Sequence, residues 1–123
     1  MGVLSGGPGS RFIRVSAQTA DDSPADIWSV PDTDASAWAL VHVQRGSGAT
    51  RQVHTFTLQG VKYVIEGSPN VLSEQNEQTG STGGPALAVA FALAGGTDLA
   101  LRVTGEPATT IAWEAFILKL PRV

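Results

Sequence analysis

The residues whose types could support chemistry are few, and they fall in recognisable places. His42 and His54 lie on two segments that read as the arms of a hairpin, and pairing symmetric about Gly48 would set the imidazoles opposite each other. A facing histidine pair can hold a metal, but no third ligand is evident nearby, so a polar cross-strand pair is the favoured reading. Asp21, Asp22, Asp26, Asp32 and Asp34 crowd the early loops. Such oxygens on irregular backbone suit calcium, yet Asp is also a standard turn former, and the EF-hand order with its closing glutamate is absent. Glu66, Glu74 and Glu77 have no spacing that pairs a catalytic acid with a base.

Other catalytic signatures are missing from the chain. It has no cysteine, which removes disulfides, zinc–thiolate sites and thiol nucleophiles. No serine sits in a G-x-S-x-G elbow, and Gly6-Gly7-Pro8-Gly9 lacks both the Lys-Ser/Thr ending and the preceding strand of a phosphate loop. The expectation is a protein without catalytic residues, metal ligands or cofactor. The tryptophans Trp28, Trp38 and Trp113 could stack on sugars or fill a core. Trp113 shares a strand face with Ile111 and Ile117 and is assigned to the core, as is Trp38. Trp28, next to turns, and Tyr63 are the candidates for ligand contact.

Composition narrows the partners. The chain of 123 residues has the length of one domain, and its hydrophobic fraction of 42% is that of a globular protein. Net charge is -3, and the 8 basic residues are scattered, which argues against a nucleic-acid surface. The apolar run 86–94 is about half the length a bilayer span needs, so no membrane role is expected. Residues 1–10 are glycine-rich and uncharged, unlike a signal peptide, and Gly6 stands where a myristoylation pattern wants Ser or Thr.

The elements that must position these residues are β-strands. Leu87, Val89, Phe91 and Leu93 alternate with Ala88, Ala90 and Ala92. Leu99, Leu101 and Val103 follow, then Ile111, Trp113, Ala115 and Ile117 against Phe116, Leu118 and Leu120. Period two over three segments separated by glycine-containing turns predicts antiparallel structure. Earlier strands are expected over 11–17, 26–30, 37–45, 51–59 and 61–66, with Gly60 marking a turn or bulge and 67–85 a long polar loop. Symmetry about Gly48 would put Trp38, Leu40, Phe56 and Leu58 on the core face. It would also set Arg45 against Arg51, which implies either a shifted register or an acidic neighbour. The expected architecture is all-β: an antiparallel, jelly-roll-like β-sandwich of about eight strands over 11–123, preceded by a flexible arm over 1–10. Phe116, Leu118 and Leu120 are too apolar to face water alone, and the alanine face of Ala88, Ala90 and Ala92 permits close approach. Both are candidate oligomer interfaces.

The closing stretch Gly105…Thr110-Ile111-Ala112-Trp113-Glu114-Ala115-Phe116-Ile117-Leu118 resembles the last strand of small β-sandwich domains in virion proteins of tailed bacteriophages. The order upstream is similar too: Trp38-Ala39-Leu40-Val41-His42-Val43, a Gly/Arg loop, Val53-His54-Thr55-Phe56-Thr57-Leu58, then Leu99–Gly105. The resemblance covers roughly residues 12–120, and its motifs are structural. It implies a virion protein of the head-decoration, head-fibre or spike, or tail-fibre type, commonly trimeric, whose partners are capsid or tail proteins. A glycine-rich arm, with Gly2, Val3, Leu4, Gly7 and Pro8, would then anchor the domain to a shell. The alternative is a carbohydrate- or receptor-binding module of a tail fibre, engaging a host glycan.

Overall fold

A computed structural model of the chain describes residues 11–31, 35–45, 52–79 and 87–120, with backbone alone at 77–79. The eight strands are β1 (Arg11–Thr19), β2 (Ala25–Val30), β3 (Ala35–Arg45), β4 (Gln52–Ile65), β5 (Ser68–Thr79), β6 (Ala88–Ala94), β7 (Asp98–Thr104) and β8 (Ile111–Leu120). All pairings are antiparallel, in a five-stranded sheet of order β1-β8-β3-β4-β5 and a three-stranded sheet of order β2-β7-β6. The first two strands pair with the last two, as a jelly roll winds its chain, whereas β3, β4 and β5 form a meander within one sheet.

Strict alternation in β8 sends Ile111, Trp113, Ala115, Ile117 and Lys119 inward. Hydrogen-bonded registry transfers that parity to β3, where Val43, Val41 and Ala39 lie opposite Trp113, Ala115 and Ile117. It passes on to β4, where His54, Phe56 and Leu58 lie opposite the same three β3 residues. The three-stranded sheet closes the core with Val89, Phe91, Leu99, Leu101 and Val103. Each fully buried Val, Leu or Ile side chain contributes about 1.5–3 kcal/mol. The Trp113 indole N–H is satisfied inside the core, donating to Thr19 Oγ1 at 2.8 Å. Outside it, Asp26 accepts two hydrogen bonds from Arg102 across the β2–β7 pair and holds that guanidinium pKa above its usual value.

Three expectations are corrected. The β3–β4 register is offset by one residue from symmetry about Gly48: Trp38 lies opposite Gln59, Leu40 opposite Thr57 and His42 opposite Thr55. A one-residue offset reverses the face of a strand, so Trp38 and Leu40 point outward while Ala35, Ala37, Ala39, Val41 and Val43 are buried. The buried face of β3 thus carries small side chains, which leave room beside the bulky Phe56, Leu58, Trp113 and Ile117 of the flanking strands in the roughly 10 Å between packed sheets. Arg45 then faces Gln52 and hydrogen-bonds its Oε1 at 2.9 Å, and it also pairs with Glu106. Both ways of avoiding opposed arginines are used.

Second, Gly60 is neither turn nor bulge: β4 runs through it without interruption. Its missing side chain makes room for Phe91 of β6, whose side-chain atoms would lie 2.3–2.7 Å from an added Cβ. Third, most of the expected loop over 67–85 is β5, paired with β4 from Ile65↔Ser68 to His54↔Thr79. The connection is the two-residue turn Glu66-Gly67, both with positive φ (50° and 80°), the geometry of a tight hairpin. The arm over 1–10 lies outside the described residues.

Gly60→Ala is expected to destabilise the protein by about 1–3 kcal/mol through overpacking against Phe91, read as a lower urea midpoint at unchanged slope. Thr19→Val preserves shape but strands the buried indole N–H, and should cost about 1–3 kcal/mol in the same assay.

Candidate interaction face

The outward parity of β3 assembles a surface that the hairpin expectation had hidden. Registry across the five-stranded sheet gives continuous rows on its outer face. One row runs Phe12, Leu118, Trp38, Gln59, Glu74; the next runs Arg14, Phe116, Leu40, Thr57, Asn76. Leu120 and Leu72 belong to the flanking row with Ser36 and Val61. Phe12, Trp38, Leu72 and Leu120 are 51%, 37%, 61% and 36% exposed, while Leu40, Phe116 and Leu118 are half-buried by their neighbours. Apolar side chains at adjacent sites in neighbouring rows form a patch rather than scattered singles, and contiguous patches mark interaction sites.

Ring and charge contacts order the patch. The Arg14 guanidinium lies 5.9 Å from the Phe116 ring centroid and bonds Glu114 Oε2 through Nε (3.1 Å) and a terminal nitrogen (2.5 Å). The His42 ring meets the Phe116 ring edge-on, with centroids 6.5 Å apart. His42 Nδ1 is 3.3 Å from Thr55 Oγ1. Beyond Phe116 the face dips into an open depression of about 500 Å³, bordered by Ser16, His42, Gln44, Val53, Ala112 and Glu114.

The sequence-derived candidates are distributed differently from expectation. His42 is exposed on the outer face and His54 buried on the inner one, so the two do not pair. Asp21 accepts from Ser23 N (2.9 Å) as a turn former does, Asp26 binds Arg102, and Asp32 and Asp34 lie outside the described residues. Among the described residues no three His, Cys, Asp or Glu side chains group as a metal site. Glu66 occupies the tight turn and Glu74 lies opposite Gln59; the side chain of Glu77 is not described.

The two candidate oligomer faces lie on opposite sides of the sandwich. Phe116, Leu118 and Leu120 belong to the outer face of the five-stranded sheet. Ala88 (exposed), Ala90 and Ala92 (half-buried) belong to the outer face of the three-stranded one. Trp28, expected at the surface, instead packs edge-on against Phe91 at 6.5 Å and leans on the core. Tyr63 is half-buried near the β4–β5 turn, opposite Asn70, so the two proposed ligand contacts are not brought together. Trp38 and Leu40 were missed as surface residues. The signal that could have found them was parity: Ser36, His42 and Gln44 share the face of Trp38.

No family model matches the chain, and no curated protein matches it. Among solved structures, the tailspike protein of Acinetobacter phage vB_ApiP_P1 is similar over 89% of this chain, with a TM-score of 0.46 and 11% identity. The matched region is 21% of the tailspike chain, and a likeness of this size assigns neither family nor function.

The environments of Trp38 and Trp113 predict distinct fluorescence. In protein dilute enough to be monomeric, Trp38→Phe should remove most of the iodide-quenchable emission. Trp113→Phe should leave that fraction intact and remove a blue-shifted, unquenched component.

Proposed function

We propose that the chain is a non-enzymatic structural module of a bacteriophage virion, of the capsid-decoration or head-fibre type, that self-associates through the outer face of its five-stranded sheet. The observation that carries the reading is the apolar patch of Phe12, Trp38, Leu40, Phe116, Leu118 and Leu120, spread over three neighbouring strands. The virion assignment is supported by the resemblance of residues 105–118 to closing strands of phage sandwich domains.

The patch suits a second copy of the same chain. The charges at its border, Arg14 and Glu114, already pair with each other, so covering them leaves no lone charge without water. Polar residues Gln59, Glu74, Thr57 and Asn76 continue the same rows toward β5, the pattern of an apolar centre with a hydrophilic rim. In a closed ring, such as the trimer common among the resembled domains, the face would turn toward the rotation axis. Shell attachment through Gly2, Val3, Leu4, Gly7 and Pro8 belongs to the same proposal, and the arm departs from Arg11, at an edge of the five-stranded sheet and beside Phe12.

Leu118→Asp places a charge in the patch while leaving the core untouched. The expected result in light scattering or sedimentation is a wild-type particle at a multiple of 12.7 kDa and a variant reduced to the monomer. Ala90→Asp, on the opposite sheet, should keep the wild-type mass. A wild-type monomer at concentrations of about 1 mM, where an interaction of only about 4 kcal/mol would show, would overturn self-association.

A further inference from the structure

We infer that the depression at the polar end of the outer face is a binding site for a neutral, polyhydroxylated ring, that is, a glycan residue. The inference does not rest on self-association: the depression is centred on Ala112 and the apolar patch on Trp38 and Leu118, with the Arg14–Glu114 pair standing where the two regions meet. Ala112 and Leu118 are six positions apart on β8, which is about 20 Å of extended chain. The expected sugar contacts, Trp28 and Tyr63, are elsewhere, so this site rests on different residues.

Four strands contribute to it: Ser16 from β1, Ala112 and Glu114 from β8, His42 and Gln44 from β3, and Val53 from β4. Val43 and Trp113 also border it, but their side chains are buried in the core, so they offer it backbone. The small Ala112 side chain, between Gln18 and Gln44 in its row, makes the sheet surface low at this point. The side chains around it stand on paired strands of a sheet rather than on loops, which fixes their spacing before a ligand arrives. The volume of about 500 Å³ lies within the range of small-molecule sites.

The chemistry of the lining selects the ligand. The Gln44 amide and Ser16 hydroxyl each donate and accept, the His42 ring adds a further polar edge, and Glu114 accepts. Neighbouring hydroxyls on a sugar ring need this mixture of donors and acceptors. Ala112 and Val53, the latter 40% exposed, offer apolar surface for the C–H face of the ring. An anion is disfavoured, because it would meet the Glu114 carboxylate while the adjacent cation, Arg14, is already bonded to that carboxylate. A wholly apolar ligand is disfavoured by the desolvation of four polar side chains.

The test is saturation-transfer NMR of the whole chain with the methyl glycosides of glucose, mannose, galactose and N-acetylglucosamine, with sodium benzoate as an anionic control. At least one glycoside should show saturable transfer with a dissociation constant of about 1 mM, and benzoate none. Ala112→Leu fills the depression from an exposed strand position and should abolish transfer. Gln44→Ala should weaken it about tenfold, the loss of one ligand hydrogen bond. Ser29→Ala, exposed on β2, should leave it unchanged. Absence of transfer from all four glycosides, or transfer undiminished in Ala112→Leu with its thermal transition retained, would overturn the site. Either result would leave the mass of the particle, and so the self-association reading, untouched.

Discussion

The registry of β3 is the constraint on which the five-stranded sheet depends. This strand is hydrogen-bonded along both edges, to β8 on one side and β4 on the other, over nearly its full length. Once Trp113, Ala115 and Ile117 of β8 are committed inward, Val43, Val41 and Ala39 have no choice of face, and neither have His54, Phe56 and Leu58. The small side chains of Ala35, Ala37 and Ala39 keep that part of the inner surface low, and Gly60 lowers it further where the Phe91 ring enters. Moving β3 by one residue would drive Trp38 and Leu40 into a space already filled from the opposite sheet. The outer patch and the polar depression are therefore both consequences of how the core is packed.

Much of this fold was legible in the sequence, for identifiable reasons. β6, β7 and β8 carry clean alternation of large apolar side chains, and glycine-containing turns separate them, so local pattern and tertiary environment agree. β4 and β5 were harder. Gly60 has two physical uses, freeing the backbone for a turn or removing a side chain for a close neighbour, and a single sequence does not distinguish them. β5 contains Ser68-Pro69-Asn70 and Ser73-Glu74-Gln75-Asn76, residues poor in intrinsic strand preference. It is a strand because the edge of β4 supplies its hydrogen-bond partners, and that partnership has no local signature. The expected number of strands was reached with one strand split in two and another read as loop.

The candidate interaction surface divides along the same line. Phe116, Leu118 and Leu120 could be placed outward from the sequence because Ile111 and Trp113 so clearly claim the other face of β8. Phe12, Trp38 and Leu40 complete their patch from neighbouring strands, and this required knowing the β3 register. The histidine pair failed for the same reason, since a one-residue offset sends His42 and His54 to opposite sides of the sheet. The polar depression had no sequence signature at all. Its residues come from four strands, and what unites them is the small side chain of Ala112 at the centre of their rows.

The unequal lengths of β3 and β4 give the sandwich a mechanical polarity. Ala35 of β3 pairs with Lys62, and beyond that point β4 continues through Tyr63, Val64 and Ile65, where its strand partner among the described residues is β5. A ribbon of two strands twists more freely than a wide sheet and has less packed against it. At the other end, Trp113 is tied to Thr19, Arg45 to both Glu106 and Gln52, and Gly105 is hemmed in by Thr19, Asp21 and Ile111. One pole is cross-tied by side chains, while the other ends in a ribbon with exposed Val64 and Ile65; a segment with few buried contacts opens locally at low cost, so under load the ribbon is expected to yield before the packed core.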